Sequence, residues 1–295
     1  MPKKYSRPFK IRFYECDIYG HMNNANYLRL MQEAAFQASS SLGYDRRRYL
    51  EMNCVWVVRE TKIEYLAPVF YDEDVEVQTW VGDMHRVRSL RNYIFKKCSN
   101  GTTAAKGWTD WAFVSHPKNE LIRIPEEIRQ IYFNAGEQAP RLPREPFPKL
   151  PQEADSVYSA TRKVEWRDLD PNGHVHNAVY LAFLEDCGIQ VANYYGWTLD
   201  RLEAEGLRIL VKQHHILYLK PTFLDEILTI DTWLSTVKKA SCVRHYRIRR
   251  ESDGENLVLC HSTYVWVNRE SGKAVRIPGQ FMADFAENIT VLEKG

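Results

Sequence analysis

None of the six cysteines, at positions 16, 54, 98, 187, 242 and 260, falls in a Cys-x-x-Cys spacing, which removes the usual zinc and redox motifs and leaves reduced, structural thiols as the expectation. No apolar run is long enough to span a bilayer. The first residues, Met-Pro-Lys-Lys-Tyr-Ser-Arg, are basic but are followed by no apolar stretch, so neither a signal peptide nor a membrane anchor is expected. Excess charge of one sign is also missing: 40 Lys and Arg against 38 Asp and Glu leave a net charge of +2, too little to draw the chain to nucleic acid or to a membrane. A cytoplasmic globular protein is expected, and 295 residues are enough for two compact domains.

What is present is a duplication. Glu15 to Tyr27 reads Glu-Cys-Asp-Ile-Tyr-Gly-His-Met-Asn-Asn-Ala-Asn-Tyr, and Asp168 to Tyr180 reads Asp-Leu-Asp-Pro-Asn-Gly-His-Val-His-Asn-Ala-Val-Tyr. The two histidines, His21 and His174, lie 153 residues apart. That offset also pairs Asp17 with Asp170, Gly20 with Gly173, Asn24 with Asn177, Tyr65 with Tyr218, Pro68 with Pro221, Asp72 with Asp225, Trp80 with Trp233 and Arg91 with Arg244. A period of this size means two whole domains in register rather than a solenoid. The expected division is 1–135, a linker at 136–156, and 157–295. Within the linker, Ala139 to Pro151 carries five prolines, a density that forbids regular structure.

Each half shows the same succession of patterns. Phe9 to Glu15, copied at Tyr158 to Arg167, alternates and predicts a first strand. Tyr27, Met31, Ala34, Ala35 and Ala38, then Tyr180, Leu184, Cys187, Gly188 and Val191, recur at helical spacing and predict one long helix per half. Asn23 or Asn24, and Asn177 in the copy, stand where an N-cap is expected. A short charged helix follows (Asp45 to Met52; Thr198 to Glu205), and the remainder is strand-like. Val75, Val77, Thr79 and Val81 alternate with Glu76, Gln78 and Trp80, matched by Leu228, Ile230, Thr232 and Leu234. Further strands are predicted at Val55 to Tyr65, Arg88 to Cys98 and Thr103 to Val114, with copies at Ile209 to Tyr218, Ser241 to Arg250 and Asn256 to Val267. One early helix before several consecutive strands favours an α+β fold with an antiparallel sheet.

The two motifs, Asp-x-x-Gly-His-x-Asn-Asn-x-x-Tyr at 17 to 27 and Asp-x-Asn-Gly-His-x-His-Asn-x-x-Tyr at 170 to 180, resemble those of the hotdog-fold thioesterases. The first copy looks like the 4-hydroxybenzoyl-CoA thioesterase group, and the second like the acyl-ACP thioesterases, which carry two hotdog domains in tandem. The resemblance covers nearly the whole chain and implies a long central helix wrapped by an antiparallel sheet in each half, the two forming an intrachain pseudo-dimer. It implies catalytic roles for Asp17 and His21 in the first half, and for Asp170, Asn172 and His174 in the second. Position 19, the counterpart of Asn172, is Tyr, and the downstream acidic residue of the acyl-ACP enzymes has no counterpart at Gln213 or Leu217, where the first half has Glu60 and Glu64. The presence of Asn172 favours the second half as the catalytic one.

The implied activity is hydrolysis of an acyl thioester on an acyl carrier protein or CoA, without a cofactor. A thiolate leaving group, from a thiol of pKa about 8.5, requires little acid assistance. The remaining needs are a base or nucleophile and an anion hole. A carboxylate such as Asp170 is ionised at neutral pH, and it can attack the carbonyl or take a proton from water. A helix starting just after the motif aims its free first-turn amides at the turn, with Asn177 or Asn24 as candidate donor and Gly173 or Gly20 allowing close approach. A hotdog dehydratase is the weaker enzyme reading, and a non-catalytic acyl-binding module is the reading from another class.

Glu33 and Asp186, also in register on the helices, offer a helix-borne nucleophile as in another hotdog group, with a solvated or capping role as the stronger expectation. Tyr27 and Tyr180 are expected in the core. Of nine histidines only His21 and His174 share a register position, which excludes a duplicated metal site. Basic clusters at Arg46 to Arg48, Arg86 to Arg91, Lys238-Lys239 and Arg244 to Arg250 can meet CoA phosphates or an acidic carrier, although solvated faces are the simpler expectation. Nucleic acid is not an expected partner. The outer face of either sheet is open to pairing with a second copy as a homodimer.

Overall fold

The computed structural model describes residues 3–116, 118–133, 144 and 146–290. The chain divides into two units, Met1–Pro146 and Phe147–Gly295. Of the linker expected at 136–156, residues 136–143 and 145 lie outside the described residues.

The first unit runs β1 (Lys4–Lys10), a single 3-10 turn (Phe13–Glu15), α1 (Asn24–Ser40), α2 (Arg46–Glu51), β2 (Cys54–Tyr65), β3 (Asp74–His85), β4 (Arg88–Lys97), β5 (Thr103–Ser115) and α3 (Glu126–Tyr132). Its strands pair antiparallel in the order β1-β3-β4-β5-β2. The second unit runs β6 (Tyr158–Lys163), a 3-10 turn (Trp166–Asp168), α4 (Asn177–Tyr194), α5 (Leu199–Ala204), β7 (Leu207–Tyr218), β8 (Ile227–Ser235), β9 (Ser241–Arg250), β10 (Asn256–Asn268) and α6 (Gly279–Asp284). Its order, β7-β10-β9-β8-β6, is likewise antiparallel. The starts of α1 and α4, of β2 and β7, of β3 and β8, of β4 and β9, and of β5 and β10 are all 153 residues apart. Left-handed backbone recurs at the same offset, at Gly20 and Gly173 and at Asp72 and Asp225. No helix among the described residues is long and apolar enough to cross a membrane.

Both long helices bury the predicted stripe: Tyr27, Met31, Ala34, Ala35 and Ala38 in α1, and Tyr180, Leu184, Cys187 and Val191 in α4. Gly188 keeps its place in the α4 stripe because a Cβ there would lie 2.9 Å from the Tyr246 hydroxyl of β9, closer than an uncharged carbon can sit. The first strand is a correction. It occupies Lys4–Lys10 rather than Phe9 to Glu15, and Phe13–Glu15 is a 3-10 turn whose Glu15 carboxylate accepts from the Arg12 amide at 2.8 Å. The copy behaves alike, with Asp168 accepting from the Glu165 amide at 2.8 Å. The alternation seen at 9 to 15 belongs to a chain leaving the sheet. The short helices α2 and α5 begin one residue inside the expected spans, because Asp45 and Thr198 are their N-caps.

In β3 the alternation holds, with Val75, Val77, Thr79 and Val81 buried. In β8 both faces are buried, Asp231 and Trp233 included, since residues 147–153 lie over the face opposite α4. The Phe147 ring packs on His215 and His261, at centroid distances of 4.7 and 4.8 Å, and Glu153 pairs with Arg247 at 2.5 Å. Beneath this segment Ser235 Oγ, His245 Nε2, His245 Nδ1, His261 Nδ1, His261 Nε2 and the Pro148 carbonyl form a chain with links of 2.6, 2.7 and 2.9 Å. A carbonyl can only accept, so His261 donates from Nε2 and accepts at Nδ1, His245 donates from Nδ1, and Ser235 donates to His245 Nε2.

These directions hold with both imidazoles neutral, the form that burial favours. Burial pushes His245 down to about 3 and does the same to His214. Because the unfolded chain protonates near 6.5 while the fold does not, stability is lost as pH falls below 6.5, by about 1.4 kcal/mol per histidine at pH 5.5. Urea unfolding at pH 7.5 and 5.5 is expected to show a smaller pH-dependent loss for His245→Gln than for the unaltered protein. Identical losses would contradict the neutral relay.

On the corresponding face of the first unit, Asp110 and Asp83, 1% and 2% exposed, bind Arg144, with Nη1 at 2.7 Å from Asp110 Oδ1. Asp110 also binds Arg88. Of the expected basic cluster at Arg86 to Arg91, Arg91 is buried and Arg88 is half-buried against Asp110, whereas Arg86 is exposed. In the second unit Arg244 is buried, Arg247 and Arg249 bind Asp231, and Arg250 binds Glu226.

Candidate active site

The second motif is a tight turn. The Asp170 amide donates to the His174 carbonyl at 3.0 Å, and the Gly173 amide to the Asp170 carbonyl at 2.9 Å. Gly173 has φ +82°, a backbone conformation open to glycine at little cost. Asp170 Oδ1 accepts from the Asn172 amide at 2.7 Å, Oδ2 lies 3.4 Å from Asn172 Nδ2, and His174 Nδ1 is 3.9 Å from Oδ1. The structure thus brings Asp170, Asn172 and His174 into one five-residue turn, all half-buried. The Val175 amide ties the turn to the Thr222 carbonyl at 2.9 Å.

The first motif repeats the scaffold with less chemistry. Asp17 Oδ1 accepts from the amides of Tyr19 and His21 at 2.9 and 3.1 Å, and Gly20 has φ +75°. Tyr19 supplies a phenol where Asn172 supplies a carboxamide. The His21 ring packs edge-on against Phe70 at 5.0 Å.

Helix α4 starts three residues after His174, as the oxyanion reading requires, but its cap is a correction. Asn177 is the first helical residue, and the cap is His176, whose Nδ1 accepts from the Ala178 amide at 3.1 Å. In the first half Asn23 is the cap, accepting from Ala25 at 2.9 Å, and Asn24 is the first helical residue. The amides of Asn177 and Asn24 lie in the first turn of their helices, where N–H groups point out of the helix end, and they stay the candidate oxyanion donors. Tyr218, not singled out as a site residue from sequence, donates its hydroxyl to the Asn177 carbonyl at 3.1 Å. Tyr65 does the same to Asn24 at 3.5 Å. The register pairing of these tyrosines was the available signal.

Tyr27 and Tyr180 are core residues: burial drives both phenols well above their usual range, and Tyr180 donates to Thr222 Oγ1 at 2.7 Å. Glu33 and Asp186 are exposed, with Asp186 3.6 Å from Arg162, as expected for solvated groups. No cluster of metal-ligating side chains occurs among the described residues. Large apolar side chains stand in solvent near each turn: Trp166, Phe223 and Leu224 at 79%, 44% and 39% exposure in the second unit, and Phe13, Ile18, Phe70 and Tyr71 in the first. Such grouping marks apolar ligand or partner contact.

Residues 2–132 match the family model for the acyl-ACP thioesterase N-terminal domain, and residues 164–285 match that of the thioesterase-like superfamily. Oleoyl-acyl carrier protein thioesterase 2, chloroplastic, of Arabidopsis thaliana is 23% identical over 253 residues, covering 80% of this chain and 65% of the relative. Other curated relatives are covered over about half of their length, down to 45%. The solved 12:0-ACP thioesterase from Umbellularia californica superposes with a TM-score of 0.70 at 20% identity, covering 88% of this chain and 93% of that one. An acyl-ACP thioesterase from Bacteroides thetaiotaomicron gives 0.67 at 18% identity, covering 89% and 97%. These likenesses establish two tandem hotdog folds.

Proposed function

We propose, from the match of residues 2–132 to the acyl-ACP thioesterase N-terminal domain and of residues 164–285 to the thioesterase-like superfamily, that the chain hydrolyses acyl thioesters at the turn 170–174. The observation that carries this reading is the gathering of a carboxylate, a carboxamide and an imidazole in one turn, three residues ahead of a helix N-terminus. Asp170 takes a proton from the attacking water, or itself attacks the carbonyl to give a mixed anhydride that water then opens. In both routes an oxygen–carbon bond forms, the C–S bond breaks and the thiolate departs. Asn172 orients the carboxylate, His174 stands close enough to hold the water, and the Asn177 amide receives the carbonyl oxygen as its charge develops. The exposed Trp166, Phe223 and Leu224 suit an acyl chain arriving from solvent.

The carrier we infer is acyl carrier protein, supported by the curated relatives whose names specify it, with acyl-CoA as the simpler alternative. No cofactor is needed for this chemistry. A reducing, cytoplasmic setting suits six unpaired cysteines. Thiol release measured with matched acyl chains on carrier protein and on CoA tests the assignment. The expected result is a higher kcat/KM for the carrier-protein substrate, and equal values or a CoA preference would overturn the choice of carrier.

A further inference from the structure

The caps of the two long helices differ in chemistry, and the difference falls beside the candidate oxyanion donor. Asn23 and His176 are 153 residues apart and do the same task, each accepting from the amide two residues on. Asn is among the commonest cap residues, and histidine is not. An imidazole nitrogen accepts only when unprotonated, so the Ala178 bond places the His176 proton on Nε2.

The residue is held on every backbone side. The His176 amide donates to the Asp168 carbonyl at 2.9 Å, and its own carbonyl accepts from the Val179 amide at 2.8 Å. Asp168 is 4% exposed and anchored by its bond from the Glu165 amide. Beyond the cap, Tyr218 grips the next carbonyl, that of Asn177. The peptide that carries the Asn177 N–H therefore lies between two fixed points, and the side-chain bond from His176 to Ala178 closes the loop around it.

We propose that His176 is a positioning residue for the hydrolysis: its imidazole fixes the first turn of α4 so that the Asn177 amide stays aimed at the thioester oxygen. This rests on the reading of residues 170–177 as the hydrolytic site. His176 acts through the turn and touches no reacting atom. A donor displaced by a fraction of an ångström loses most in the transition state, where the oxygen is charged, and little in the ground state. The loss should thus fall on kcat and spare KM.

The test measures kcat and KM for thiol release by the unaltered protein, His176→Asn, His176→Ala and Asp170→Asn, with a thermal melt of each. His176→Asn, which restores the cap used in the first unit, is expected to keep kcat within about twofold, whereas His176→Ala should lower it about tenfold at unchanged KM. A melting point a few degrees lower for His176→Ala is expected from the lost cap. Should that variant not fold, His176→Gln takes its place, since glutamine is one bond too long to cap. An unchanged kcat in His176→Ala overturns the proposal, and so does an equal loss in His176→Asn, which would mean that the ring itself takes part in the chemistry. If Asp170→Asn retains full activity, the reading of the site fails and the positioning role with it. If Asp170→Asn is inactive while His176→Ala is not, only the positioning role is lost.

Discussion

Asp170→Asn is expected to lower kcat for thiol release by about two to four orders of magnitude, and Asp17→Asn to leave it within about threefold. The substitution separates two tasks that the carboxylate performs together. Oδ1 of Asp170 accepts from the Asn172 amide at 2.7 Å, and an asparagine oxygen can accept the same bond. The turn should therefore keep its shape, and only the charge and basicity are removed. Asp17 has the same structural task, accepting from the amides of Tyr19 and His21, but it lies next to Tyr19 where Asp170 has Asn172. Thermal melts of both variants close to that of the unaltered protein are part of the expected result. Full activity in Asp170→Asn, or an equal loss in the two variants, would contradict the assignment to the second unit.

Asp110→Ala is expected to destabilise the first unit by about 3–5 kcal/mol, the range for breaking a buried ion pair by removing one partner. Asp110 is 1% exposed and is shared by Arg88 and Arg144, with Arg59 3.6 Å away. Burial and the neighbouring guanidinium groups already push Arg88 down to about 10, so the arginines would repel one another once the central carboxylate is removed. Arg144→Met should cost less, because Asp110 keeps Arg88 as a partner and Asp83 keeps the Leu90 amide. Denaturant unfolding of the variants measures both, and a loss below about 1 kcal/mol for Asp110→Ala would show that the arginines find other partners.

The parts of the fold that were legible in the sequence are those with a period. The α1 and α4 stripes and the β3 alternation announced themselves because one face of each is buried against a single partner. The burial of both faces of β8 was not legible, since Asp231 and Trp233 lie on the face covered by residues 147–153. That covering depends on a segment with no periodicity of its own, held by ring packing on His215 and His261, by the Pro148 and Gln152 carbonyls and by the Glu153 pair with Arg247. The site turn was legible from Gly173, which the left-handed backbone requires, and from the recurrence of Asp and His at one offset. The cap was not: Asn177 has the expected residue type, but the bond is made one position earlier by an imidazole, which propensity alone ranks low. The small helices α3 and α6 were missed for a similar reason. Unlike α2 and α5, which Asp45 and Thr198 cap, they follow Pro125 and Pro278 with no side-chain cap to announce them, and Ile128 and Phe281 bury into the cores.

The most direct measurement is the stoichiometry of thiol release from a long-chain acyl carrier protein by the unaltered protein, with a metal chelator present. The account predicts many thiols and an equal number of free fatty acids per chain, undiminished by the chelator. A protein that instead holds about one intact acyl thioester per chain and releases no thiol would be an acyl-binding module, and the hydrolytic reading of residues 170–177 would be wrong.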